Sequence, residues 1–442
     1  MDAISDVLQR AEKDRISFIQ LQFMDILGVV KSVSIPMGKL EKALEDGVLF
    51  DGSSIVGYAT IDESDMRALP DPSTYQTLPW STDDKKSARL ICNIYTPKGE
   101  RFAGDPRYAL ERAMERAMKK GYVLHTGPEC EFFLLKLDAR GRPTVVPDDS
   151  GGYFDQLPLD RGECVRGEIV QYLEQMGFEV ETSHHEVAPG QHEIDFRYAD
   201  AMITADRVFT LKHVTKAVAL RHDLYATFMP KPIYGVCGSG MHAHLSLITP
   251  EGENVFYDPK GRWEVSELAL HFLGGLIHYA KDICAVLASW ANSYKRLVPG
   301  YEAPVYISWA NLNRSALVRI PLGRGVKTRL ELRNPDPAGN AYLQFAAILD
   351  AGLRGIEEGI EPPEPVERDI YGLTPDERET LKIDSLPGDL GHALLYMRES
   401  ELVRATLGNH IFEHFLYIKG KEWDEYRSKL SQWEIDEFLS IL

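Results

Sequence analysis

Two carboxylates bracket a turn in Ser183-His184-His185-Glu186-Val187-Ala188-Pro189-Gly190-Gln191-His192-Glu193-Ile194-Asp195. Pro189 and Gly190 punctuate the stretch and β-type residues flank it, so the pattern predicts a hairpin. Closed by a four-residue Ala-Pro-Gly-Gln loop, the hairpin places Val187 opposite His192 and Glu186 opposite Glu193. Opposed side chains on one sheet face lie about 4.5–5.5 Å apart at Cβ, where like charges repel. A hard divalent cation with oxygen ligands removes that repulsion. A solvated hairpin tip is the other reading of one such pair.

Further polar residues are spaced by two within apolar strands: Glu129 and Glu131 around Cys130, His242 and His244 around Ala243, Glu331 and Arg333 around Leu332. Strand side chains alternate faces, so each pair shares one, and Ser246 shares that of the two histidines. A sheet turning one polar face inward would collect Glu129, Glu131, Glu186, Glu193, Glu331 and His242. That is too much negative charge to bury without cations. Oxygen-rich donors suit Mg²⁺ or Mn²⁺, and about two ions balance the set. His184, His185, His192 and His244 read as supporting or structural histidines.

Arginines cluster next: Arg296, Arg314, Arg319, Arg324, Arg329 and Arg333. Arg314, Arg319, Arg329 and Arg333 lie among apolar neighbours, which predicts burial, and buried arginine needs an anion. Carboxylates facing arginines describe a site for a metal ion and a transferring phosphoryl group, with a nucleotide as donor. Gly238-Ser239-Gly240-Met241-His242-Ala243 fits a loose dinucleotide fingerprint but leads into an alternating strand, not a helix. Gly325-Val326-Lys327-Thr328 lacks the spacing of a phosphate-binding P-loop.

A chain of 442 residues accommodates two or more domains, and 44% apolar with 26% charged residues is an ordinary globular mix. The net charge of -18 argues against nucleic acid as a partner. Five scattered cysteines without a C-x-x-C pair predict a reducing compartment. The N-terminus has no signal-peptide pattern, and the apolar stretch Leu268 to Trp290 carries His271, His278, Lys281 and Asp282. It therefore reads as a buried helix, not a membrane span. The expectation is a cytoplasmic protein.

The elements that must position these residues follow from periodicity. Helices are predicted over 1–14, 107–120, 161–176 and 199–220, and strands over 15–23, 29–35, 88–95, 122–126, 129–137, 178–187, 192–198 and 241–248. Asp105-Pro106 is a helix start, so the domain boundary is placed between 102 and 103. From about Gly339 the chain is helical in pieces and ends in amphipathic Trp423 to Leu442.

The longer motifs are Phe50-Asp51-Gly52-Ser53-Ser54-Ile55, Gly127-Pro128-Glu129-Cys130-Glu131-Phe132-Phe133, His184 to Gln191, Gly238 to His242, Lys295 to Pro304, Asn313-Arg314-Ser315 and Glu331 to Pro337. With these the chain resembles the glutamine synthetase family, in its bacterial and archaeal type I class and short alpha-like subclass, over nearly its whole length. The resemblance implies an α+β fold. A β-grasp domain at 1–102 precedes a catalytic domain at 103–442, whose curved antiparallel sheet is flanked by helices. It also implies ATP-dependent ligation of ammonia to glutamate through γ-glutamyl phosphate. One metal would be held by Glu131, Glu186 and Glu193, and another by Glu129, His242 and Glu331. Gly238, Arg296, Glu302 and Arg333 would contact glutamate. Glu181, Tyr198, His244, Ser246, Arg314, Arg319 and Arg329 would contact ATP. Asp51, Glu302 and Arg314 would be catalytic, with Glu302 on a lid loop and Asp51 reaching a neighbouring subunit's site to deprotonate ammonium. That arrangement implies a dodecamer of two stacked hexameric rings, with the C-terminal Phe438 to Leu442 as tether.

Three positions depart from or bear on the family pattern. Cys237 stands where the family usually has Asn. Thr60 stands where feedback-inhibited relatives carry Arg. Tyr371 falls in the segment modified by adenylylation elsewhere, and modification is not expected here. The regulator stays open among 2-oxoglutarate, glutamine, a small signalling protein and none at all. A γ-glutamyl ligase acting on a polyamine or other amine is the alternative enzyme. Retention of both Asp51 and Glu302 favours ammonia. A catalytically silent nitrogen-sensing ring is the non-enzymatic alternative, and the full set of carboxylates and arginines speaks against it.

Overall fold

Asp25 Oδ1 accepts the amides of Leu27 at 3.0 Å and Val29 at 2.9 Å, and Gly28 takes φ +83°, so the chain reverses sharply there. A computed structural model of the chain describes residues 3–58, 65–82 and 85–442. Thr60 lies outside the described residues. Helix α1 (Ala3–Lys13) leads into β1 (Phe18–Met24) and β2 (Val30–Pro36), which flank that turn. Then come α2 (Leu40–Asp46), β3 (Val48–Asp51), β4 (Asp65–Pro70), β5 (Gln76–Thr77) and β6 (Ser87–Tyr95). These strands form a mixed sheet in the order β2-β1-β6-β4-β3, with β5 on β6 and β1 parallel to β6. Alternate residues such as Ile19, Leu21, Leu90 and Ile94 face its own core.

Helix α3 (Pro106–Lys119) starts as expected, with Asp105 accepting the Arg107 amide and Pro106 in the first turn. Next are β7 (Val123–Leu137), β8 (Pro143–Pro147), α4 (Glu163–Gln175), β9 (Val180–His185), β10 (Gln191–Phe196) and β11 (Ala199–Asp200). They are followed by α5 (Ala201–Arg221), β12 (Leu224–Thr227), β13 (Met241–Ile248), α6 (Glu267–His278), α7 (Ala280–Leu287) and α8 (Ser293–Arg296). Short strands β14 (Tyr306–Ile307), β15 (Trp309–Ala310), β16 (Val318–Arg319) and β17 (Leu330–Leu332) precede α9 (Ala341–Glu358). The chain ends with α10 (Pro375–Thr380), β18 (Asp384–Ser385), α11 (Leu390–Glu399), α12 (Glu401–Ser428) and α13 (Gln432–Phe438). The larger sheet runs β15-β16-β17-β13-β7-β10-β9 and is antiparallel apart from β15 with β16. Helices α5, α6 and α9 bury Phe209, Phe272 and Phe345 in one large core with Phe132 of β7. The fold is α+β.

The structure corrects several local expectations. β7 does not break at Gly127-Pro128. On one side β10 pairs Glu129 to Phe133 and β11 pairs His125 and Thr126, which leaves Pro128 opposite a gap where the ladder needs no N–H donor. The hairpin closes two residues earlier than expected. His185 pairs with His192, and Glu193 faces His184 in place of Glu186. Gly190 at φ +70° and the Gln191 amide donating to Ala188 O make the loop longer. A shift of two residues keeps every side chain on its face, so Glu186 and Glu193 still share one. The apolar stretch around 268–290 forms two helices, α6 and α7. Trp423 to Leu442 is split as well, because Ser431 and Glu434 form a capping box that starts α13.

Candidate functional site

The registers of five strands assemble the polar face. Central β7 carries Glu129 and Glu131. On one side β10 sets Glu193 opposite Glu131 and Asp195 opposite Glu129. On the other, β13 sets His242 opposite Glu129. β17 sets Glu331 opposite His244, and β16 sets Arg319 opposite Glu331. Spacing by two is thus converted by antiparallel pairing into one cluster.

The cluster lines a cavity of about 510 Å³ that also receives Glu186, Gly238, Arg296, Glu302, Arg314 and Arg333. Seven carboxylates face four guanidinium groups there. Burial and the Glu186 charge push the Glu131 carboxyl up to about 8, although Gln191 Nε2 donates to it at 2.7 Å and the Gly240 amide at 3.0 Å. Burial, then Asp195 and Glu131, hold Glu193 well above the usual carboxylate range. Burial and the Glu129 charge push Asp195 up to about 6. Burial also raises Glu129, but hydrogen bonds from His242 at 2.9 Å and His244 at 2.6 Å outweigh it and hold Glu129 well below. Burial first and mutual repulsion after it drive the three upward shifts, and a divalent cation would relieve both.

The donor set fits hard cations. One ligand atom from each of Glu129, His242 and Glu331 lies within 4.8 Å of the others, and the same holds for His184, Glu193 and Asp195. Glu131 and Glu186 line the same cavity, and Glu186 Oε1 lies 2.9 Å from His184 Nε2. Carboxylates with one or two imidazoles suit Mg²⁺ or Mn²⁺.

The arginines differ from the expectation of uniform burial. Arg333 is buried, and its Nη1 has no hydrogen-bond partner among the described residues. Arg319 is half-buried and its Nε donates to Glu331 at 2.5 Å. Arg314 is exposed at the cavity mouth. Its apolar neighbours Ala316 and Leu317 point into the core while its own side chain does not. Arg296 is buried, but its guanidinium donates to the carbonyls of Arg333, Asn334 and Pro335 at 3.0–3.1 Å. It therefore braces the segment behind the cavity. Arg324 is used by the carbonyls of Trp263 and Gly323 and lies outside the site.

A second cavity of about 350 Å³ adjoins the first and is lined by Glu181, Tyr198, His244, Ser246 and Arg329. Glu129 and Asp195 line both. His244 stands at the junction, bonded to Glu129 and accepting from Arg329 Nε at 3.1 Å. Asp51 lines neither cavity. It is exposed at the end of β3, where hydrogen bonds from Ser53 and Ser54 lower its pKa. Glu302 is exposed with φ +58°, a left-handed conformation that favours glycine. Two contacts flank it: Lys231 Nζ lies 3.7 Å from the Tyr301 ring centroid, and the Tyr371 hydroxyl donates to Ala303 O at 2.6 Å. Cys237 lines the acidic cavity, its thiol pushed up to about 11 by burial and Glu302.

Sequence reasoning passed over Asp195, Gln191, Tyr153 and His125. Asp195 carried the same signal as its neighbours, two residues beyond Glu193 on one strand. Tyr153 gave none, since it reaches the cavity from a loop, and Gln191, the first residue of β10, carries no charge to mark it.

The catalytic-domain model of glutamine synthetase matches residues 103–438, and the β-grasp-domain model of the same family matches residues 15–97. The chain belongs to the glutamine synthetase family. It is 52% identical to a glutamine synthetase of Methanosarcina mazei over 99% of this chain and 98% of that protein. It is 51% identical to one of Thermus thermophilus, with 99% and 98% covered. Two solved structures of GmaS, one an ADP complex and one without ligand, superpose with TM-scores of 0.90 and 0.89 at 36% identity. Each covers 98% of this glutamine synthetase family member and 99% of the GmaS chain.

Proposed function

We propose that the two adjoining cavities form one active site in which glutamate is phosphorylated and then aminated. The chain is a glutamate–ammonia ligase, converting ATP, glutamate and ammonia to glutamine, ADP and phosphate. The observation that carries the residue assignment is the shared wall of Glu129 and Asp195. A nucleotide held by Glu181, Tyr198, Ser246 and Arg329 turns its phosphates past His244 toward the carboxylates. Mg²⁺ or Mn²⁺ on Glu129, His242 and Glu331, and on Glu131, Glu186 and Glu193, would neutralise phosphate and carboxylate charge.

A γ-carboxylate oxygen of glutamate attacks the terminal phosphorus, and ADP leaves. Arg314 and Arg319, with Arg333, stabilise the transferring charge. Gly238 and Arg296 shape the glutamate pocket. Ammonia nitrogen then attacks the acyl carbon, phosphate leaves, and Glu302 takes a proton from that nitrogen. Asp51 takes the preceding proton from ammonium. Its exposure outside the cavities supports its supply by a neighbouring copy, in a dodecamer of two hexameric rings. Exposed Leu430, Trp433, Leu439 and Leu442 support a C-terminal tether between rings. We assign the boundary between β-grasp and catalytic domains to 102/103 and the protein to the cytoplasm. Its regulator is taken from 2-oxoglutarate or a small signalling protein.

Phosphate release from ATP with Mg²⁺ and glutamate, with ammonium and then a panel of amines, tests the reading. Ammonium-dependent turnover is expected. Turnover with methylamine or a polyamine but not with ammonium would move the chain to the amine-ligase alternative. Repeating the assay with 2-oxoglutarate exposes that regulation.

A further inference from the structure

Between the first sheet and α5 lies a third cavity, of about 680 Å³, separate from the active site. Its walls include Leu27, Phe228 and Trp290, and none of the described residues lining it carries a carboxylate. Lys212 and Lys216 enter it from one face of α5, four residues apart. Lys212 is buried, and among the described residues its ammonium meets Gly339 O at 3.5 Å and the Phe228 ring at 5.9 Å. Burial, then the charge of Lys216, pushes it down to about 8. Asp336 acts on it from outside the cavity but is not within ion-pair distance. Lys216 stands exposed at the rim. His213 beside them is pushed down to about 4 by burial and Arg89, so it is neutral at neutral pH. Two cations without a counter-ion among the described residues, beside an aromatic and aliphatic wall, specify the chemistry of an occupant.

We propose that this cavity binds a small organic carboxylate, its charge against Lys212 and Lys216 and its apolar body against Leu27, Phe228 and Trp290. The cavity is also mechanically close to the active site. Pro230 lines it, and Pro230 O accepts the Ser239 amide at 2.8 Å, next to Gly238. Asn292 lines it too. Its side chain accepts from Lys231 N at 2.8 Å and donates to Lys231 O at 3.0 Å. Lys231 in turn lies over Tyr301 beside Glu302. An occupant therefore bears on the segment that shapes the glutamate pocket and on the Glu302 loop. This coupling rests on the glutamate-site reading above, whereas the binding does not.

The test is equilibrium dialysis of labelled phenylacetate against the assembled full-length protein, with glutamate and ADP present to fill the active site. Saturable binding with a Kd on the order of 1 mM is expected, with none for the neutral isostere phenylacetamide. Lys212→Met should weaken it about tenfold or more, the loss of one charge-assisted contact. Val29→Trp, at an exposed rim position, should block it while leaving the fold intact, and decides the matter should Lys212→Met not fold. No saturation up to about 10 mM, or equal affinity in wild type and both variants, overturns the site. A shift of roughly threefold in glutamate KM on phenylacetate binding supports the coupling, and an unchanged KM removes it. Full synthetase activity without phenylacetate binding would sink this site alone.

Discussion

Two clusters of carboxylates and imidazoles lie back to back across the β9–β10 hairpin, and they have opposite electrostatics. On one face, Glu129, Glu131, Glu186, Glu193, Asp195 and Glu331 crowd together with an excess of negative charge. On the other, Asp149, Asp160, His185 and His192 also bring their ligand atoms within 4.8 Å of one another. There Arg166 forks onto Asp160 at 3.0 and 2.8 Å and reaches His192 Nδ1 at 2.9 Å. His185 donates to Glu186 O at 2.6 Å and to Asp149 at 3.0 Å, so both ring nitrogens serve as donors. That protonation is favoured despite burial, because Asp149 and the Glu186 carbonyl raise the His185 pKa. Asp149 also accepts the Gly190 amide at 2.7 Å, which fixes the hairpin turn. Two anions meet two cations, and the cluster is complete as a clasp. Ligand-type residues within reach of one another therefore do not make a metal site. Uncompensated charge does.

The largest expected effect tests the uncompensated side. Glu131→Gln keeps the shape and the contacts to Gln191 and Gly240 but removes one anion. Turnover should fall by about 10⁴-fold, roughly 5.5 kcal/mol, with Mn²⁺ affinity falling alongside it and thermal stability without metal unchanged or raised. The rise follows from Glu131 being pushed up to about 8: at neutral pH its ionisation favours the unfolded chain, and glutamine removes that penalty. Unaltered Mn²⁺ affinity in a titration would show that Glu131 holds no metal and that the charge excess has another purpose.

The polar face was legible in the sequence because a strand writes its two faces in alternation. Glu129 and Glu131, His242 and His244, and Glu331 and Arg333 needed only period two and apolar neighbours. The register between strands was not legible to the residue. The Ala188–Gln191 turn could close in more than one way, and the two-residue error survived because it preserves faces. β7 misled because Pro128 signals a break unless one knows that its neighbour strands leave a gap there. The clasp was invisible for a different reason. Asp149, Asp160 and Arg166 come from a loop and from α4, and only the tertiary fold brings them behind His185 and His192. The same holds for the third cavity, whose lysines are ordinary helix residues in the sequence and become unusual only once β1 and β2 cover them.

The next effect breaks the clasp. Arg166→Met leaves the Asp160 carboxylate buried without its cation, which should cost about 3 kcal/mol of stability. Chemical denaturation measures it. Turnover per folded molecule should change little, since Arg166 touches no residue of the active site. The comparison also predicts a gain. Without the guanidinium, Asp149, Asp160, His185 and His192 become an uncompensated donor set, so Zn²⁺ should restore part of the lost stability in the variant and none in the wild type. Zinc that stabilises both equally would show that Arg166 is not what excludes a cation.

The smallest effect concerns the residue that divides the two cavities of the active site. Asp195 accepts from the Thr182 hydroxyl at 2.5 Å and is pushed up to about 6 by burial and by Glu129. Its shift is smaller than that of Glu131, which is pushed up to about 8. Asp195→Asn keeps the size and changes a carboxylate outside both proposed ligand sets, so Mn²⁺ affinity should fall only about tenfold, near 1.4 kcal/mol. Stability without metal should hold or improve slightly, because Glu129 and Glu193 lose a repulsive neighbour. A loss as large as that of Glu131→Gln would make Asp195 a direct ligand. The alternation that ran from Glu193 to Asp195 would then have marked a metal-binding residue in plain view.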